Sequence, residues 1–149
     1  MTNMTNILNR AANTVEPPKQ LPAGQYLFNV MSYADKDDQG NLLTSSGGHQ
    51  KVDFLVQAIA PLEVDPAQME GVNLPFRMRH SMVLTDNSLF RFRAFLEQHL
   101  GVASENMSLA DMLKQAPGRQ FRGTIVHRSG TRPGDTNLYA NIQETFPVG

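Results

Sequence analysis

From Phe76 to Leu84 large and polar side chains alternate without a break, and this run constrains the fold more than any other feature. Phe76, Met78, His80, Met82 and Leu84 fall on one side of an extended chain, and Arg77, Arg79 and Ser81 on the other. A period of two belongs to a strand with one buried and one wet face, because successive side chains leave opposite sides of a pleated backbone. The same period recurs elsewhere. Over Gln25–Ala34, Tyr26, Phe28 and Val30 alternate with Gln25, Asn29 and Met31. Over His49–Ala60, Val52, Phe54, Val56 and Ala58 oppose Lys51, Asp53 and Gln57, and Pro61 is expected to end the strand. Over Gln120–Arg128, Phe121, Gly123, Ile125 and His127 oppose Arg122, Thr124, Val126 and Arg128. Over Leu138–Phe146, Leu138, Ala140 and Ile142 are expected inward, with Tyr139, Asn141 and Gln143 opposite.

Between the third and fourth strands the period changes. Leu89, Phe92, Leu96 and Leu100 recur at helical spacing, Thr85 or Asp86 can cap the start, and Gly101 is placed to stop it. Ser108 is expected to cap a second short helix, with Leu109, Met112 and Leu113 inward and Pro117-Gly118 after it. The loops Asp35–His49 and Ser129–Thr136 are long, polar and rich in glycine. Residues 1–20 show no periodicity, and Pro17-Pro18 stops any helix there, so they read as a flexible tail ahead of one domain over 21–149. The expected fold class is mainly β: a five-stranded OB-like Greek-key barrel with a helical insert between strands 3 and 4.

Catalytic signatures are missing from the sequence. His49, His80, His99 and His127 are scattered, with no HExxH spacing, and there is no G-x-S-x-G elbow, phosphate loop or dinucleotide fingerprint. Without cysteine, thiolate chemistry and disulfides are excluded. His80 and His127 lie on expected inward faces and read as core imidazoles. Asp35-x-Asp37-x-Gln39-Gly40 resembles the opening of a calcium loop, but Ser46 stands where the bidentate glutamate belongs, so a solvated turn is the better reading. The expectation is a binding protein, not an enzyme, with no metal and no cofactor. No apolar run reaches the roughly 20 residues of a membrane span, and the start has none of signal-peptide length. A cytoplasmic protein is expected.

The formal net charge of −1 alone argues against a nucleic-acid binder. Its distribution argues otherwise. Residues 75–132 carry nine basic side chains, eight of them Arg, against four acidic ones (Asp86, Glu97, Glu105, Asp111). Arg grips phosphate through a planar fork and stacks on bases, which Lys does not. Alternation places Arg77 and Arg79 on one face about 7 Å apart. Arg122 and Arg128 take the equivalent face of the fourth strand. Taken alone, the pairs serve equally well as solubilising charges. In an OB-fold, however, the strand 2–3 face and the loops 1–2 and 4–5 bind oligonucleotides. That surface maps to Lys51, Arg77, Arg79, Arg128 and Arg132. Stacking platforms are also needed, and Tyr33 and Tyr139 are the candidates, most of the Phe residues reading as core. Arg91 and Arg93 flank Phe92, and only Arg93 has good helical spacing to Glu97.

Leu21-Pro-Ala-Gly-Gln-Tyr-Leu-Phe, Lys51-Val-Asp-Phe-Leu-Val, Phe92-Arg-Ala-Phe-Leu-Glu with Gly101, Gly118-Arg-Gln-Phe-Arg-Gly-Thr-Ile-Val and Tyr139-Ala-Asn-Ile form a spaced pattern over residues 21–147. It resembles phage-encoded OB-fold proteins that bind single-stranded DNA in replication or recombination. The resemblance implies a coat on single strands, no cofactor, the host cytoplasm, and replication or recombination proteins as partners; it leaves homo-oligomers open. One departure stands out. Many single-strand binders recruit partners through an acidic C-terminal tail, whereas Glu144-Thr-Phe-Pro-Val-Gly149 holds one acid, which argues against such recruitment. The alternative is a phage protein–protein adaptor, a virion component or an inhibitor of a host defence protein, whose Arg residues would meet acidic partners.

Overall fold

The computed structural model of the chain describes residues 20–129, 134 and 138–148. It is mainly β. Five strands form one antiparallel sheet: β1 (Gly24–Ala34), β2 (Lys51–Glu63), β3 (Phe76–Val83), β4 (Gln120–Ser129) and β5 (Leu138–Phe146). Their spatial order is β3-β2-β1-β4-β5. After the β1-β2-β3 meander the chain returns through the helical segment to lay β4 beside β1. Strands β3 and β5 are the two edges, and no ladder joins them among the described residues. The sheet is therefore open where the sequence reading expects a closed barrel. The tail expected over 1–20 falls outside the described residues except for Gln20. The Gln20 amide accepts from the Ala140 N–H (2.5 Å) and donates to the Leu138 carbonyl (2.7 Å), mimicking a strand residue on the open edge of β5.

The inward faces follow the alternation. Tyr26, Phe28, Val30, Val52, Phe54, Val56, Ala58, Phe121 and Ile125 are buried. Two expectations fail at strand ends. Leu138 is 55% exposed, so the inward face of β5 begins at Ala140. His127 is exposed at the far end of β4, where its Nε2 lies 2.7 Å from the Leu21 carbonyl. Pro61 does not end β2 either. Strand β3 starts only opposite Ala58, so beyond that point β2 is an edge, and β1 shifts register there, which tolerates a missing N–H.

The helical segment is three pieces: α1 (Leu89–Ala94), a π-helical turn (Phe95–His99) and α2 (Leu109–Lys114). Thr85 caps the entry, its Oγ1 accepting from the Ser88 N–H (3.2 Å) while Ser88 Oγ accepts from the Thr85 N–H (2.8 Å). The wide π turn lets consecutive residues Phe95 and Leu96 both reach the core, along with Phe92 and Leu100. Gly101, at φ 73°, ends it as expected. Ser108 caps α2 by accepting from the Asp111 N–H at 3.1 Å. Phe95 meets Phe54 edge-on at 5.2 Å and Phe121 at 5.3 Å, joining helix to sheet. Phe121 stacks on Phe28 at 5.2 Å. Gly123 makes that stack possible, since a Cβ there would stand 2.9 Å from Phe28 Cε2.

Candidate nucleic-acid interface

Register assembles the outer face of the sheet row by row, because residues directly opposite in an antiparallel pair share a side. Arg77 sits across from Gln57, and Gln57 from Asn29. Arg79 sits across from Leu55 and then Ser32; Ser81 across from Asp53 and then Ala34; Val83 across from Lys51. Lys51, Arg77 and Arg79 thus lie on one outward surface of two neighbouring strands. Arg77 is exposed and has no hydrogen bond or ion pair among the described residues. Arg79, 72% exposed at its side chain, places Nε 4.0 Å from Asp53 Oδ2. Lys51 Nζ lies 3.5 Å from Asp53 Oδ1, and Ser81 Oγ donates to the same oxygen at 2.5 Å. Asp53 is therefore the hub of this face. It orders Lys51, Arg79 and Ser81 and cancels one of the three positive charges. Alternation had already set Asp53 outward; only the pairing of β2 with β3 reveals what surrounds it.

The other expected site residues are not gathered here. Tyr33 lies opposite Phe54 and packs against the core, on the sheet side away from Arg77 and Arg79. Register explains it: β1 slips between Val30 and Ser32, which turns Tyr33 inward. Arg122 is on the outer face next to Leu27, but its Nε donates to the Pro147 carbonyl at 2.7 Å and its guanidinium covers the Phe146 ring at 5.9 Å. Arg128 and Tyr139 pair across β4 and β5 where these strands run beyond the start of β1, at the corner of the sheet diagonal to Arg79. Arg132 lies outside the described residues. The loop between β1 and β2 is internally bonded: Lys36 bridges Leu42, Thr44 bridges Gln50, and Asp37 Oδ1 accepts the Gln39 and Asn41 N–H groups at 2.9 Å each. That use of Asp37 explains the aspartate spacing as a turn. Among the described residues no three His, Asp or Glu side chains cluster as a metal-binding group.

Between the two edges of the sheet lies a cleft of about 740 Å³, walled by Ser81–Val83 of β3, Gln143–Thr145 of β5, and Phe90 and Arg91 of α1. His80 stands in it on the inward side of β3, its ring 6.5 Å from Phe54 and 5.6 Å from Phe95. Burial lowers the His80 pKa to about 4, so the ring is neutral at physiological pH. His99, also lowered by burial, has Nδ1 2.7 Å from Thr145 Oγ1 and fastens the π turn to β5. On the outer side of the helices Arg93 Nε meets Glu97 at 3.0 Å, the pairing its spacing predicts. Sequence reading missed Phe90. Its signal was the helical spacing itself, which puts residue 90 off the stripe formed by 89, 92, 96 and 100.

No protein-family model matches the chain, and no curated protein sequence matches it. Among the described residues no helix is long and apolar enough to cross a membrane.

Proposed function

We propose that the protein binds single-stranded nucleic acid, DNA in the first instance, along the outer face of β2 and β3. The observation that carries this reading is the juxtaposition of Lys51, Arg77 and Arg79 on one exposed, two-stranded surface with a single carboxylate. Strand order supports it: β4 returns beside β1 after a three-strand meander and the helical segment lies between β3 and β4, an order in keeping with an OB-like Greek key. In such domains the strand 2–3 face is the one that takes oligonucleotides. Phage replication or recombination as the setting, the cytoplasm as the compartment and replication proteins as partners belong to the same proposal and rest on the resemblance of the sequence alone.

Fluorescence polarisation with matched single- and double-stranded oligomers tests the reading, with the single strand expected to bind more tightly. Replacing Arg77 and Arg79 together by Ala is expected to weaken binding to every sequence alike and to lower the log–log salt slope by about 1.4, at roughly 0.7 per lost phosphate contact. Equal affinity for the two forms, or none, would leave the adaptor reading, in which the same face meets an acidic protein.

A further inference from the structure

Helix α1 turns one phenylalanine outward. Phe90 is 76% exposed, while each of the other seven Phe residues is buried or half-buried. Its stripe of the helix also holds Arg93 and Glu97, three and seven residues on, a face that polar side chains normally occupy. Phe90 forms the ridge between two concavities. One is the cleft of about 740 Å³ that it shares with Ser81, Val83 and Arg91. The other, of about 530 Å³, it shares with Arg93 and Met107. Ser81 and Val83 belong to the outer face of β3, two and four residues beyond Arg79, so the cleft leads from the basic surface to the ridge. Arg91 is exposed and has no acidic partner among the described residues. Among the described residues Glu144, across the cleft on β5, is the one carboxylate lining it.

A flat exposed ring beside the free Arg91 guanidinium, on the helix that follows a basic strand, has the chemistry of a stacking platform. The ring accepts the face of a base, and Arg91 neutralises a neighbouring phosphate, while Arg93 stays paired with Glu97. A partner protein's apolar groove would also accept a Phe, but it would have to offer acids to Arg77 and Arg79, about 7 Å apart on β3, and also to Arg91 on α1. A polyanion supplies that charge at every repeat. We infer that Phe90, with Arg91 beside it, stacks on an unpaired base and extends the single-strand track from β3 onto α1. The inference rests on the function proposed above and adds a residue class that β2 and β3 do not supply.

The chain contains no Trp, so Phe90→Trp places a single, selectively excitable tryptophan at the site. Titration with oligodeoxythymidylate is expected to quench its emission along the same curve that polarisation gives. Phe90→Ala is expected to weaken binding on the order of 10-fold with an unchanged salt slope. Phe90→Leu should be nearly as weak, and Phe90→Tyr close to wild type. Circular dichroism checks that each variant is folded, as expected for an exposed position. Wild-type affinity in Phe90→Leu, or unquenched emission while polarisation reports binding, overturns the inference and leaves the β2–β3 reading standing. Failure of the wild-type protein to bind any oligomer overturns both.

Discussion

Strands β3 and β4 carry the same device with opposite outcomes. Each alternates Arg with core residues, and each turns its Arg side chains to the outer face of the sheet. On β3, Arg77 has no partner among the described residues and Arg79 only a loose one at 4.0 Å. On β4, Arg122 is tied to the Pro147 carbonyl and the Phe146 ring. The difference lies in the neighbours. Strand β3 is an edge whose other side opens on a cleft, whereas β4 is flanked by β5, whose end folds over Arg122. A guanidinium already committed to a carbonyl and a ring acts in stability; one that is uncommitted can act in binding.

The inner faces differ in the same sense, and there the largest effect is expected. Strand β4 fills its side with Phe121 and the space left by Gly123, while β3 places His80 among aromatic rings. With its pKa lowered to about 4 against an ordinary 6.5, His80 stays neutral in the fold while the unfolded chain takes up a proton. The unfolded state therefore binds more protons between these values. Stability is untouched above pH 6.5, falls as pH drops through the window, and levels off below 4. Urea unfolding at about pH 7.5 and pH 4.5 should show the wild type losing roughly 2 kcal/mol more than His80→Leu. Equal losses would mean that β3 does not desolvate this ring, and the contrast with β4 would collapse.

Next in size is Arg122→Ala. Loss of a charged hydrogen bond and a ring contact at a partly exposed site should cost about 1 kcal/mol of stability, with the salt slope of nucleic-acid binding unchanged. Arg77→Ala should do the reverse, with less than about 0.5 kcal/mol in stability and a slope lower by roughly 0.7. Denaturant melts and salt titrations on the two variants measure both quantities, and matching profiles would erase the distinction between the strands. The smallest effect is expected from Asp53→Asn. Removing the carboxylate frees Lys51 and Arg79 and should tighten single-strand binding a few-fold, under about 1 kcal/mol because exposed charges are screened. Weaker binding would show that Asp53 matters more for holding Arg79 in place than for the charge it cancels.

Much of the fold was legible from particular residues. Phe76–Leu84 announced β3, Gly101 the end of the helical segment, Ser108 the cap of α2, and Arg93 with Glu97 an ion pair. The π turn was not legible, because Phe95 and Leu96 side by side break a helical stripe unless the turn widens. Of the expected interface, Lys51, Arg77 and Arg79 come together. Tyr33 does not, because a slip of one residue within β1 moves every later side chain to the other face. Arg128 and Tyr139 keep their exposure but sit at the far corner.

What the sequence determined by itself is the set of strands, most of their inward faces, and the caps and stop of the helical segments. Backbone pleat, helical pitch and capping act within a few residues, so each segment carries its own instruction. Which strand lies beside which was decided only by the tertiary structure. So were the grip of Pro147 on Arg122, the gathering of Lys51, Arg79 and Ser81 around Asp53, and the cleft behind Phe90. Tertiary contacts join residues up to 120 positions apart, as between Gln20 and Ala140. Each depends on burying the aromatic core of Phe28, Phe54, Phe95 and Phe121 in one arrangement, and no local period encodes that.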